Sequence, residues 1–209
     1  MNLYILGNGG FANELFDHIF LKENAHTFYG FITLVGDKAF VISELGINPF
    51  SYDPSAAFLL GTNNPIWRTK FTEYFLNIYN PIKTHFPNVY STRASISYTS
   101  TIGIGNLFLP FSSVHGISTI GNFNSFSSYS SVHNRCKIGN YNVVHPYAGI
   151  MNQCCIGSNN ILQPNSIVTE KLTIGNDNIV SAGECVFDNV DNNELFQSGI
   201  ILKRIDKGI

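Results

Sequence analysis

The chain has 209 residues, a formal net charge of −2 and an apolar content of 44%, enough for one large domain or two small ones with a real core. So balanced a charge offers no electrostatic footprint for nucleic acid or an anionic membrane. Charged residues make up only 12%, about half the usual share, and Ser, Asn and Gly fill the gap.

The opening Met1-Asn2-Leu3-Tyr4-Ile5-Leu6-Gly7 lacks the basic region and the length of a secretory signal. No run approaches the ~18 apolar residues of a membrane span. Cys136, Cys154, Cys155 and Cys185 follow neither zinc-ribbon nor secreted-framework spacing. A soluble cytoplasmic protein with reduced thiols and no metal is expected.

In chain order, Leu3–Leu6 reads as a short strand and Gly7-Asn8-Gly9-Gly10 as a tight loop. Phe11 to Leu21 has helical spacing, with Phe11, Leu15, Phe16, Ile19 and Phe20 apolar. Strands are expected at Phe28–Leu34 and Ala57–Leu60, then a helix at Pro65–Ile78 with proline at its start. This βαβ pattern predicts a small Rossmann-like α/β domain over residues 1–82 with a parallel sheet. Its glycine loop lets backbone N–H groups approach a phosphate at a helix N-terminus. The spacing G-x-G-G-x-A differs from the dinucleotide fingerprint, and a tight turn with no ligand accounts for the same residues.

From Ile96 onward, every sixth residue through Val186 is apolar. At this composition sixteen consecutive hits arise by chance on the order of once in 10^5, so the period is a structural repeat. Four places after the apolar position the residue is usually small or an amide, as at Ser118, Asn124, Cys136 and Asn142. Three hexapeptides make one coil of a triangular solenoid, so residues eighteen apart stack about 4.8 Å from each other. One face repeats Ile-Gly, from Ile102-Gly103 to Ile174-Gly175, and ends in the ladder Asn106, Asn124, Asn142, Asn160 and Asn178. Stacked amides can bond from coil to coil, and glycine suits the backbone of a sharp corner. Cys136 and Cys154 stack on another face and read most simply as small core residues, with metal ligands or redox thiols as the alternative. Residues 83–209 are expected to form a left-handed parallel β-helix with a C-terminal tail.

Together these features resemble the sugar acyltransferases of the left-handed β-helix superfamily, in particular the PglD-like and NeuD-like enzymes. The carriers are Leu6-Gly7-Asn8-Gly9-Gly10-Phe11-Ala12-Asn13-Glu14, Leu60-Gly61-Thr62-Asn63-Asn64, the unbroken hexapeptides and the tail Gly199-Ile200-Ile201-Leu202-Lys203-Arg204-Ile205. The resemblance implies a homotrimer with active sites in clefts between neighbouring β-helices. Acetyl-CoA or another acyl-CoA would be the co-substrate and would lie along the prism. A nucleotide-linked sugar would sit in the N-terminal domain against Gly9, Gly10, Phe11 and Gly61. Pro164 and Ala182 fall where the family's backbone touches CoA. The chain departs from the pattern at several places. Asn134 and Arg135 stand where the family has a histidine base and its acidic partner. Thr33 and Leu34 replace an acidic pair, and Val143 replaces a histidine that meets the acyl donor.

Acyl transfer from a thioester needs a proton acceptor for the nucleophile and a donor for the oxyanion. His115, His133 and His145 each follow an inward apolar residue, so they should point outward. His115 and His133 are eighteen apart and should stack, which lowers at least one pKa and keeps an imidazole neutral. His133 is the first candidate base, and an inert surface stack is the alternative. Asn134 could orient substrate if no side-chain base is used, and His145 could meet the donor. The expected function is acyl-CoA-dependent N-acyl transfer to a nucleotide-linked amino sugar in bacterial surface-polysaccharide synthesis. The alternatives are a sugar or sialic acid O-acetyltransferase and a non-catalytic sugar-nucleotide-binding trimer.

Overall fold

The structure is a computed structural model that describes residues 2–23, 27–43, 45–79 and 85–203. Contacts divide the chain into two units, Met1–Asn88 and Val89–Ile209. Of the tail, Arg204 and Ile205 lie outside the described residues, as do the side chains of Ile19 and Phe20.

In the first unit, β1 (Asn2–Leu6) leads into α1 (Gly10–Glu23), followed by β2 (Thr27–Val35), β3 (Lys38–Ser43), β4 (Gly46–Pro49), β5 (Ala56–Leu60) and α2 (Pro65–Ile78). The sheet order is β4-β3-β2-β1-β5. β1 pairs in parallel with β2 and β5, whereas β3 and β4 are antiparallel additions. The sequence reading missed that hairpin, because Lys38–Ser43 and Gly46–Pro49 are short and mostly not buried, so they carry little alternation. β5 is buried throughout, and Phe58 meets Phe75, Tyr79 and Phe86 at ring-centroid distances of 4.5–5.8 Å. Asn64 caps α2 by accepting from Ile66 N at 3.0 Å and Trp67 N at 3.3 Å.

The second unit is a parallel β-solenoid of two-residue strands. Face 1 stacks Thr101–Ile102, Thr119–Ile120, Lys137–Ile138, Cys155–Ile156 and Thr173–Ile174. Face 2 runs from Val89–Tyr90 through Leu107–Phe108 to Ile179–Val180, and face 3 from Ser95–Ile96 through Ser131–Val132 to Cys185–Val186. From Phe108 to Val186 every sixth residue is buried. The first two members, Ile96 and Ile102, are only partly covered at the open end. After Val186 the last coil is two residues short: Asn178 Oδ1 accepts from Glu194 N, sixteen residues on, at 2.7 Å. A hairpin, Glu194–Gln197 with Ile200–Lys203, then extends face 2.

The corners are the unexpected part. Twelve consecutive non-glycine residues at six-residue intervals, from Phe111 to Asp177, have φ between +57° and +65°. Such backbone costs roughly 1–2 kcal/mol per L-residue, so each corner needs compensation. Each corner N–H bonds to the coil below, as Tyr141 N does to Asn122 O at 2.9 Å and Gln153 N to Asn134 O at 2.9 Å. Corner rings also stack: Phe111 on Tyr129 at 4.8 Å and Tyr129 on Tyr147 at 4.9 Å. The Ile-Gly glycines serve a different purpose from the one expected. Their φ is not left-handed, but a Cβ at Gly121 or Gly139 would lie 2.5 Å from the carbonyl oxygen of the glycine one coil on. Close approach of coils, rather than corner geometry, requires them.

The asparagine ladder ties the coils together. Asn142 Nδ2 donates to Asn124 Oδ1 at 3.0 Å and to Gly157 O at 2.8 Å, while its Oδ1 accepts from Asn160 N at 2.9 Å. Cys136 and Cys154 are buried free thiols whose Sγ atoms donate to Met151 O at 3.0 Å and Thr169 O at 2.9 Å. Replacing Asn142 by Ala orphans several buried groups at about 1–3 kcal/mol each. Asn142→Ala is therefore expected to cost at least about 3 kcal/mol. Asn178→Ala should cost less, since the buried Asn178 Nδ2 makes no hydrogen bond among the described residues. Chemical denaturation of the two variants checks this order, and equal losses would contradict it.

Candidate functional site

In the first unit a cavity of about 420 Å³ opens at the C-terminal ends of the parallel strands. Gly7, Asn8, Gly9, Gly10 and Phe11 line it with Thr33, Gly61, Thr62, Asn63, Trp67 and Phe71. All four expected substrate contacts, Gly9, Gly10, Phe11 and Gly61, thus share one cavity. The glycines are there for different reasons. Gly7 has φ +114°, and a Cβ would come within 3.0 Å of Gly61 O. A Cβ on Gly61 would collide with Ile5 and Ala12, so packing of β5 beside α1 excludes any side chain. At Gly9 and Gly10 a Cβ meets no protein atom within 4 Å and φ is not left-handed. Neither conformation nor packing demands glycine there, and the space it leaves free belongs to the cavity.

α1 begins at Gly10 with no acidic residue in its first turn, so the partial positive charge of its N-terminus has no carboxylate to meet within that turn. Beneath the Thr62-Asn63 wall, the wholly buried Arg68 donates from Nη1 to Thr62 O at 2.8 Å. Asn63 Oδ1 is buried and takes no hydrogen bond among the described residues. Both the cation and the open acceptor escaped the sequence reading. The signal that could have flagged them is Asn-Asn-Pro at the head of α2, which fixes Asn64 as cap and turns Asn63 and Arg68 inward.

In the solenoid, His115 and His133 stack with ring centroids 4.9 Å apart and planes 23° from parallel. Adjacent pairing of Val114 with Val132 puts them there. His115 is exposed and His133 half-buried. Burial, helped by the neighbouring His115, pushes the His133 imidazole below its ordinary value of 6.5. Burial does the same to His145. With folded values depressed, the unfolded chain binds protons more readily. The stability these two contribute is complete above the unfolded value and is lost as pH falls through the lower folded ones.

Asn134 follows His133 on the corner from face 3 to face 1, exposed, with Nδ2 donating to Asn152 Oδ1 at 3.4 Å. His145, Pro164 and Ala182 group on another corner, from face 2 to face 3. There Ser166 N bonds Gln163 O at 3.1 Å across Pro164-Asn165, and Gly183 N bonds Pro164 O at 2.9 Å. Proline ahead of a positive-φ residue is what a type II turn favours. The two histidine groups therefore occupy different edges of the solenoid. Among the described residues no cluster of His, Cys, Asp and Glu is arranged to hold a metal, and no helix is long and apolar enough to cross a membrane.

Residues 135–170 match the family described as Bacterial transferase hexapeptide (six repeats). No curated protein sequence matches significantly. Solved structures are similar over almost the whole chain. PerB from Caulobacter crescentus, in complex with CoA and GDP-perosamine, is 18% identical, with a TM-score of 0.76 over 93% of each chain. WeeI from Acinetobacter baumannii AYE is 21% identical, with a TM-score of 0.79 over 97% of this chain and 100% of its own. The acetyltransferase domain of PglB from Neisseria gonorrhoeae FA1090 is 15% identical, with a TM-score of 0.79 over 93% and 95%. The chain thus carries the bacterial transferase hexapeptide repeat and has, across both units, the fold of these proteins.

Proposed function

We propose that the chain is an acyl-CoA-dependent acyltransferase that moves an acetyl group onto the amine of a nucleotide-linked amino sugar in bacterial surface-polysaccharide synthesis. One observation carries this reading: the likeness to PerB, solved with both CoA and GDP-perosamine, runs through both units at once. In this reading residues 1–82 are a Rossmann-like domain for the sugar nucleotide, and 83–209 a left-handed β-helix for the donor. The enzyme would work in the cytoplasm as a homotrimer, with clefts between neighbouring β-helices.

Gly9, Gly10 and Phe11 bring the first N–H groups of α1 to the diphosphate, and the Arg68 charge supports that anion from below. Acyl-CoA runs along the corner of His145, Pro164 and Ala182. At His133 a neutral ring nitrogen accepts the proton that the amine sheds as its nitrogen bonds to the thioester carbonyl carbon. The carbonyl electrons move to oxygen, and the oxyanion is met by an N–H donor. As they return, the C–S bond breaks, and the imidazolium protonates the departing thiolate, leaving amide and CoA thiol. Asn134 orients the acceptor beside that ring.

In perosamine N-acetyltransferase, histidine-to-asparagine and histidine-to-alanine variants were solved with both CoA and GDP-perosamine. Binding and proton transfer are best read separately here as well. His133→Ala is expected to lower kcat by about 10²- to 10⁴-fold, with CoA affinity by calorimetry nearly unchanged; a normal kcat would refute the assignment. In the intact enzyme kcat/KM should climb with pH through an apparent pKa below 6.5, since only neutral His133 accepts a proton. Burial depresses it most and the neighbouring His115 adds to that; His115→Gln removes the second cause, so that limb should move toward higher pH.

Gly9 and Gly61 offer a second test. Gly9→Ala should leave the melting temperature unchanged yet weaken binding of a GDP-, UDP- or dTDP-sugar at least tenfold, since its Cβ enters the cavity. Gly61→Ala should unfold at lower temperature, because Ile5 and Ala12 must shift. Thermal-shift titration reads both effects, and unaltered affinity in Gly9→Ala would remove the cavity from the substrate site.

A further inference from the structure

The solenoid is poor in charge, and its cations are unevenly placed. Between Val89 and Lys203 the basic residues are Arg93, Arg135, Lys137, Lys171 and Lys203. Three of these five sit at or beside the corner from face 3 to face 1. A groove of about 580 Å³ runs along that corner, lined by Thr99, Gly116, Asn134, Arg135, Asn152 and Lys171, among others. At ~4.8 Å per coil, Arg135 and Lys171 lie about 10 Å apart along it. Asn134, Asn152 and Gln153 place three side-chain amides in the wall.

The two ends of the groove differ. Lys171 lies 4.0 Å from Glu170, so that end is close to neutral. Arg135 makes no ion pair among the described residues and is exposed in the groove wall next to Asn134. A guanidinium fork flanked by side-chain amides matches the planar face of a carboxylate or two oxygens of a phosphate. The other two corners are lined differently: their left-handed positions carry Phe111, Tyr129, Tyr147 and Asn165, or Phe123, Tyr141, Asn159 and Asp177, and the guanidinium of Arg93 lies over the Phe111 ring.

We propose that this groove is an oxyanion subsite, in which Arg135, with the amides of Asn134, Asn152 and Gln153, seats a carboxylate or phosphate group. It adjoins His133, so in the transferase reading, on which this assignment of source rests, the anion belongs to the acyl donor or the sugar acceptor. The donor supplies it as the 3′-phosphate of CoA or as a terminal carboxylate on the acyl chain. The acceptor supplies it as a carboxylate on the sugar.

Arg135→Gln is the natural probe, because Gln153 holds the same left-handed corner one coil on and shows that glutamine fits. Lys203→Gln, on the hairpin that extends face 2, is the control. Calorimetry on the full chain would compare CoA, dephospho-CoA, succinyl-CoA, acetyl-CoA, a UDP-linked amino sugar with and without a carboxylate, succinate and inorganic phosphate. Loss of one charge-assisted contact should weaken the matching ligand about 10- to 100-fold in Arg135→Gln and leave Lys203→Gln as the parent. A loss for CoA that disappears with dephospho-CoA places the 3′-phosphate in the groove. A loss confined to succinyl-CoA or to the carboxylated sugar places a carboxylate there. Binding of every ligand unaltered by Arg135→Gln, with CoA and sugar nucleotide bound by the parent, overturns the subsite and leaves the transferase standing. Arg135-dependent binding of succinate or phosphate without any binding of CoA keeps the subsite and removes the transferase. A parent chain that binds none of these ligands overturns both.

Discussion

Each coil must lay polar backbone over polar backbone with nothing left open, and that constraint governs the solenoid. Two-residue strands make few ladder bonds of their own, so inward side chains complete the account. Asn124, Asn142 and Asn160 each offer an amide to the coil on either side, and Asn106 offers one to the coil that follows. On the next corner Ser118, Cys136 and Cys154 send a hydrogen to the carbonyl fifteen residues on. A small donor of fixed reach serves each of these three places, which explains why a thiol and a hydroxyl interchange there; in the last coils the column turns apolar, with Leu172 and Val190.

The same stacking bears the cost of the corners. A left-handed Tyr or Phe is unfavourable alone, but repeated every eighteen residues it puts rings 4.8–5.3 Å apart and nearly parallel. Stacked rings and N–H bonds to the coil below offset the backbone strain together. The consequence for function is rigidity: an outward side chain such as His133 inherits its place from a strand locked to neighbours on both sides. Its half-burial then follows from position, and with it the depressed pKa.

Much of this was legible in the sequence because the period is covalent arithmetic. Val114 above Val132 and His115 above His133 follow from counting to eighteen, and no tertiary information is needed. The corners were not legible, since Phe111, Ile117 and Arg135 are residues that ordinarily avoid positive φ, and only the repeat enforces it. The Ile-Gly glycines were read as corner residues although they serve coil-to-coil contact. In the first unit the βαβ order was readable from apolar runs, while the β3–β4 hairpin was hidden by exposure. The glycine loop at Gly9 and Gly10 was readable, and the structure places a cavity beside it. Arg68 and Asn63 were not, because a buried charge under a loop leaves no periodic mark.

The altered neighbours of His133 also bear on the acceptor. A carboxylate beside an imidazole stabilises the imidazolium and strengthens the base. At this corner the next residues are Asn134 and Arg135, and the ring's stacking partner is another imidazole. All that is known of its surroundings lowers its proton affinity. A weak base that stays neutral cannot readily ionise a sugar hydroxyl. It can, however, take a proton from an amine nitrogen that has already begun to bond to a carbonyl, because that nitrogen becomes acidic as it gains positive charge. In the proposed reaction, with His133 as base, the electrostatics at this edge therefore favour nitrogen over oxygen as the atom acylated.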